Sequence, residues 1–322
     1  QEVERVREEQ VAAIIQRRAD PRGLANEAAA HFIFAEDTPY ARPLSGTRST
    51  LSGLTREDIA AFHADQYTPF GATVLLAGNL DPDLGHDLAA EIFGDWVGPV
   101  AQRRAAEVKP RSRSRRIVIV DRPGSVQSEI RAGHIGVPRS TPDFFPLMVM
   151  NAILGGAFTS RLNLNLRERQ GFTYGVTSHF TMRRQAGPFA VSTAVQTEVT
   201  AAALREIMHE IHGIRDEALS HAELEDARNY LAGVFPLRLE TTEGVVSRLG
   251  ELAVHDLPLD YFDSYRDRIL EVTGDEVLRV AQEHIRPEEL CIVVVGDAAT
   301  IRSNLEALEL GPVEVVDVGA LP

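Results

Sequence analysis

The stretch Leu154-Gly155-Gly156-Ala157-Phe158-Thr159-Ser160-Arg161-Leu162, followed by Leu166-Arg167-Glu168-Arg169-Gln170-Gly171-Phe172-Thr173-Tyr174, lies near the middle of this 322-residue chain. Residues 160–170 read as a helix, and Gly171 stops it because glycine takes the left-handed conformation that ends helices. The chain then turns into 174–182, which pairs as a hairpin with 187–196; both runs are rich in β-branched and aromatic residues. Upstream, 116–121 and 127–137 read as strands and 143–154 as a helix. Downstream come two long helical stretches, 200–217 and 221–255, the second interrupted near Pro236. This order predicts an α+β fold, a mostly antiparallel sheet with helices packed on one face.

Two parts of the chain follow one plan. Thr55 precedes a helical stretch opened by Glu57 and Asp58, then come Pro69 and the apolar run 73–77 closing on Gly78. Thr273 precedes a stretch opened by Asp275 and Glu276, then come Pro287 and the apolar run 291–295 closing on Gly296. Each threonine caps a helix with acidic residues in its first turn, and each proline lies beyond its end. The paired positions are all 218 apart, which predicts a duplicated domain. Residues 1–100 form the later part of a first copy, 101–115 a basic linker, and 116–322 a complete second copy. Counting back from the second copy, the first is expected to lack its opening sheet and helices, roughly 100 residues ahead of Gln1.

With 44% apolar and 25% charged residues the chain reads as ordinary globular protein. No apolar run approaches the roughly 18 residues of a membrane span. The net charge of -14 argues against general nucleic-acid binding. The one basic cluster, Arg103, Arg104, Lys109, Arg111, Arg113, Arg115 and Arg116, surrounds Pro110 without interleaved aromatics, so it reads as an exposed linker. The single cysteine, Cys291, falls inside an apolar run and reads as a buried strand residue; it excludes an internal disulfide framework.

Ser160-Arg161-Leu162, Leu166-Arg167-Glu168 and Gly171-Phe172-Thr173-Tyr174 together resemble the C-terminal-domain signature of pitrilysin-type (M16) zinc peptidases. The segment from Thr38 to Thr47 is similar to that family's H-P-Y-G-R-P-L-x-G-T stretch, and Gly78 and Gly296 end strands of its V-V-G-D kind. The resemblance implies two homologous domains and an active site in which Arg167 and Tyr174 face a zinc held by a different domain. It also implies substrate contacts at the neighbouring Gly155, Gly156 and Phe172. A guanidinium and a phenol are suitable donors to the oxyanion of peptide hydrolysis. Taken singly, Arg167 reads as a solvated charge near a helix end and Tyr174 as a strand aromatic. It is their company that favours the functional reading.

The family binds zinc through H-x-x-E-H and a distant glutamate. The first motif is absent from this sequence. Aligned on Pro21, the glutamate's place is held by Ala13, or by Ile14 with a slip of one, and neither binds a metal. His209 and His212, three apart on a predicted helix, lack a third ligand and read as a solvated face. His31, His63, His134, His179, His221, His255 and His284 stand alone, as surface or core-edge residues. No metal is therefore expected on this chain. The resemblance implies the non-zinc subunit of a heterodimeric bacterial peptidase, inactive alone, which lends Arg167 and Tyr174 to a partner bearing H-x-x-E-H and the zinc. Its substrates would be extended peptides, bound as an added strand at a sheet edge. Two alternatives stand beside this reading. One is a complete peptidase with H-x-x-E-H ahead of Gln1, which Ala13 disfavours; the other is a purely architectural subunit, which the Arg167/Tyr174 pair disfavours.

Overall fold

The uninterrupted apolar runs of the second half become strands buried on both faces, as such runs do. In the computed structural model, which describes residues 1–100 and 107–321, β1 (Arg116–Asp121) lies parallel to β5 (Cys291–Gly296), with Ile117 opposite Ile292 and Val120 opposite Val295. Four further strands are β2 (Gln127–Ile135), β3 (Val176–Phe180), β4 (Pro188–Gln196) and β6 (Val313–Asp317), and the sheet order is β3-β4-β2-β5-β1-β6. The β3–β4, β4–β2 and β2–β5 contacts are antiparallel, and β6 joins β1 in parallel. The fold is thus α+β with a mostly antiparallel sheet, and the 174–182/187–196 hairpin forms in register, Val176 opposite Thr193 and Phe180 opposite Phe189.

The helices are α1 (Glu2–Ala19), α2 (Pro21–Ile33), α3 (Arg48–Gly53), α4 (Arg56–Gln66), α5 (Pro82–Phe93), α6 (Phe144–Asn151), α7 (Thr200–Asp216), α8 (His221–Leu237), α9 (Thr242–His255), α10 (Tyr265–Glu271), α11 (Gly274–His284) and α12 (Ala298–Glu306). Helices α6 to α8 and α10 to α12 build the main core on one face, where Leu147, Leu204, Ile269 and Val277 meet Ile117, Ile119 and Ile130. The 221–255 stretch breaks after Leu237, with Pro236 in the last turn of α8, and resumes at a Thr241 cap.

The opposite face is covered from far away in sequence. Helix α2 carries Leu24, Ala25, Ala28 and Phe32 on one stripe, and this stripe packs on Val118, Val120, Val293 and Val295. Asp20 starts it, its carboxylate accepting from the Gly23 amide at 2.8 Å, with Pro21 in the first turn. Each large side chain buried this way stabilises by about 1.5–3 kcal/mol. Residues 21–33 are therefore bound energetically to the 116–322 sheet.

Both threonine caps of the repeat form full capping boxes, Thr55 with Asp58 and Thr273 with Glu276. The apolar runs beyond the two helices differ. The run 291–296 is β5, whereas 73–78 forms no strand and leaves Val74 and Leu76 about half exposed. A strand needs ladder partners for its amides and carbonyls, and 73–78 has none among the described residues. In the basic linker, 101–106, with Arg103 and Arg104, lies outside the described residues.

Candidate functional site

The helix 160–170 is not an ordinary α-helix. Its last turns are wide: Gln170 donates to the Asn165 carbonyl five residues back at 3.0 Å, and Phe172 to Leu166 at 2.9 Å. Such π-type winding is uncommon and gathers at functional sites. Gly171 then takes φ +66°, the left-handed turn expected of it. Beyond it the backbone is held on both sides of Tyr174. Thr173 Oγ1 accepts from the Gly175 amide at 3.1 Å and donates to the Gly175 carbonyl at 2.9 Å, and Thr193 Oγ1 on β4, 2.9 Å from Thr173 Oγ1 and 3.0 Å from the Gly175 carbonyl, donates its one proton to either. The Tyr174 side chain, in contrast, is 96% exposed, and its hydroxyl bonds to no described residue.

Two residues fix β3 beside it. The buried Asn163 side chain donates to the Val176 carbonyl at 2.9 Å and accepts from the Val176 amide at 3.1 Å, taking the place of a neighbouring strand. Gly155, in a wide turn that continues α6, is buried so close to β3 that a Cβ there would sit 2.5 Å from the Ser178 nitrogen.

Tyr174 stands on the rim of a cleft of about 660 Å³ between α2 and the sheet face formed by β2, β3 and β4. Its floor is a buried ion pair. Arg131 Nη1 lies 2.8 Å from Glu129 Oε2, and Arg131 Nε donates to Asn26 Oδ1 of α2 at 2.8 Å. Burial lowers the Arg131 pKa and Glu129 opposes that shift; an arginine remains charged regardless. His179 borders the cleft and is held below its ordinary value, first by desolvation and then by Arg131, although its edge stays open to water. Arg22 of α2 adds a further cation.

Arg167 does not line this cleft. Its guanidinium lies 4.3 Å from the centre of the exposed Phe158 ring, and its Nε is 3.4 Å from Glu168 Oε1. Gly155, Gly156 and Phe172 do not line it either: Gly155 is packed on Ser178, Gly156 lies against Asn151, and Phe172 turns toward the main core. Arg22, Asn26, Glu129, Arg131 and Asn163 escaped the sequence reading, which took His179 for a lone surface or core-edge residue. A signal for two of them was present: Glu129 and Arg131, two apart in an apolar strand, must share one sheet face.

Several histidines have side-chain partners that the sequence does not show, His31 Nε2 lying 2.9 Å from Arg111 Nη1 and His221 Nδ1 3.5 Å from Glu225 Oε2. His134 is buried on β2 rather than at a core edge, with Nδ1 donating to the Ile135 carbonyl at 2.8 Å and Nε2 accepting from the Arg286 amide at 3.1 Å. Burial, and then Arg286, lower its pKa to about 3. His284 does not stand alone; its Nε2 is 2.7 Å from Asp143 Oδ2. Asp143, Glu283 and His284 approach one another closely enough to hold a cation. Arg279 already pairs with both carboxylates, at 2.7 and 2.9 Å, so the cluster is an ion-pair network. Cys291 is buried in β5 as expected, its thiol pushed up to about 11 by burial.

The residues at the family's zinc position do not fit a metal. Ala13 has no donor atom, Ile14 is buried, and the exposed Glu9 nearby is paired with Arg5 at 2.5 Å. No helix of the described residues is long and apolar enough to cross a membrane.

A family model described as the peptidase M16 inactive domain matches residues 53–231. An uncharacterized zinc protease of Mycobacterium tuberculosis is 29% identical over 272 residues, 83% of this chain and 61% of that protein. A Helicobacter pylori protein named a non-peptidase homolog is 24% identical over 92% of this chain and 68% of its own length. Among solved structures, the peptidase M16 inactive domain of Pseudomonas fluorescens superimposes with a TM-score of 0.83 at 25% identity, covering 92% of this chain and 70% of that one. The chain spans about three fifths of the mycobacterial relative's length. With the signature around Tyr174, the sheet that carries it and a family model matching more than half its length, the chain belongs to the peptidase M16 inactive domain family.

Proposed function

We propose that this chain is the non-zinc subunit of a two-subunit M16 peptidase, and that it presents Tyr174 and Arg167 to peptide bound at a zinc site on a partner bearing H-x-x-E-H. The observation that carries this reading is the contrast at Tyr174: an anchored backbone with a side chain left 96% exposed and unbonded at the rim of a polar cleft. A phenol so held is aimed at something outside the chain. When water adds to a peptide carbonyl, negative charge gathers on the carbonyl oxygen, and the Tyr174 hydroxyl would donate to it. Arg167 would join by leaving Phe158 and Glu168. That move is cheap, since an exposed ion pair is worth about 0–1 kcal/mol and an exposed cation–π contact about 0.5–1 kcal/mol. Zinc and the base that activates water would come from the partner. The capping boxes repeated at Thr55 and Thr273 support reading 1–100 and 116–322 as two copies of one domain joined by 101–115.

The test is turnover by the reconstituted pair. Tyr174→Phe keeps the ring and removes only the donor; it should cost roughly 100-fold or more in turnover, the scale of a lost oxyanion donor. Arg167→Ala should cost a similar factor, and Arg169→Ala little, each at matched assembly. A purely architectural subunit is the second reading, favoured by the position of Arg167 on Phe158 away from the cleft. Full activity in both Tyr174→Phe and Arg167→Ala would leave that reading alone.

A further inference from the structure

The chain is acidic overall, with 47 acidic against 33 lysine and arginine residues. Four arginines, from α1, α2, the Pro39–Leu44 loop and the β3–β4 turn, nonetheless line two adjoining clefts beside α2. The Tyr174 cleft meets a second one, of about 460 Å³, at Asn26, which lines both. The second cleft lies between α2 and the Pro39–Leu44 loop. Arg22 in the first, and Arg17, Arg42 and Arg183 in the second, form no ion pair with any described carboxylate. Arg17 bonds to Ser45 Oγ at 2.5 Å, and Arg183 lies 4.5 Å from the Tyr40 ring centre. The two acids that line the clefts are already engaged, Glu129 by Arg131 and Glu27 by Arg18.

We infer that this continuous groove binds the carboxylates of an extended acidic peptide, and so sets a preference for acidic residues on one side of the bond presented to Tyr174. The inference rests on the proposed function only for which bond is cut. Uncompensated cations in a concave surface focus positive potential and repel one another until an anion arrives. The exposed stripe of α2 from Arg22 to Ala30 is about 12 Å long, room for roughly four residues of extended chain. A short acidic peptide suits this place better than a nucleic acid. A polyphosphate would extend past the groove into the field of a protein with net charge -14. Guanidinium groups also match carboxylates in planar, two-point hydrogen bonding.

The chain as it stands serves for the test. Binding is measured by fluorescence anisotropy with labelled Gly/Ser peptides of three kinds: several aspartates with an amidated end, several lysines with an amidated end, and neutral side chains with a free C-terminal carboxylate. A single-stranded oligonucleotide is the competitor. The aspartate peptide should bind at least tenfold tighter than the lysine peptide, and weaken as salt is added. Each exposed arginine–carboxylate contact is worth about two- to fivefold, so Arg22→Ser with Arg42→Ser should cost roughly tenfold, and Arg205→Ser on α7 nothing. Tight binding of the neutral peptide through its free end would support the same carboxylate chemistry and assign it to a chain terminus. Equal affinity for aspartate and lysine peptides, a silent double variant, or an oligonucleotide that outcompetes the aspartate peptide would each overturn the inference. Because the assay needs neither partner nor turnover, it can fail while Tyr174→Phe still abolishes activity, and succeed while Tyr174→Phe is silent.

Discussion

His134→Gln should flatten the acid limb of this protein's stability. In the native state His134 is buried and neutral, donating through Nδ1 to the Ile135 carbonyl and accepting through Nε2 from the Arg286 amide. Its pKa is lowered to about 3 from the ordinary 6.5. A group with a depressed native pKa lets the unfolded chain take up a proton first. Its contribution is therefore complete above pH 6.5 and shrinks as pH falls toward 3. Each pH unit in that window costs about 1.4 kcal/mol, which gives a loss near 3 kcal/mol at pH 4.5. Glutamine stays neutral at every pH and can still accept from the Arg286 amide. The Ile135 carbonyl keeps its bond from the Arg286 side chain. Urea unfolding of both proteins at intervals from pH 7.5 to 4.5 reads the difference directly, since carboxylates and the other histidines act alike in each. The variant should be the less stable protein at pH 7.5, with the gap narrowing by about 3 kcal/mol at pH 4.5. Parallel curves across that range would refute the assignment of a buried, uncharged His134.

Two other changes test the packing that positions the site. Gly155→Ala would drive a methyl group to 2.5 Å from the Ser178 nitrogen and 2.9 Å from Leu162 Cδ1. The first neighbour is backbone and cannot swing aside, so urea unfolding should show a loss of about 1–3 kcal/mol; a neutral result would mean that this turn does not press on β3. Cys291, with its thiol near 11 and only 5% exposed, should react with a disulfide reagent at pH 8 only as fast as the protein opens, and rapid labelling of the native protein would contradict its place in β5.

Local chemistry made most of the second half legible. The apolar run at 116–121 reads as a strand, and β1 has those bounds. Thr273 and Thr55 announced their helices because a capping box is completed within four residues. Legibility stopped where the cause lay far along the chain. Nothing within 21–33 says that its alanine-rich stripe will cover Val118 and Val293. The run 73–78 reads like 291–296, but β5 is a strand because β1 and β2 flank it. At the site, the sequence pointed to Tyr174 through its motif. The clefts around it depend on α2 meeting three strands, and no spacing reveals that. The Glu129–Arg131 pair was overlooked although its period-two placement within β2 was there to read.

The way β3 is closed bears on how a peptide would be held. Strand addition beside Tyr174 would need free amides and carbonyls on the outer edge of β3, where Val176, Ser178 and Phe180 alternate outward. Asn163 already takes both backbone groups of Val176, and Gly155 lies against the Ser178 nitrogen. Opening this edge would leave a buried asparagine unpaired, at about 1–3 kcal/mol for each unsatisfied group. The edge is thus protected in the manner of covered sheet edges. Under the proposed function, the main-chain bonds expected for an extended peptide belong on another edge, outside the Tyr174 cleft. On that proposal, what this chain would offer a peptide beside Tyr174 is side chains: a phenol on a fixed backbone, an arginine that moves at little cost, and the guanidinium groups lining the two clefts beside α2. Such a surface would read charge and position while leaving most of the peptide's sequence free.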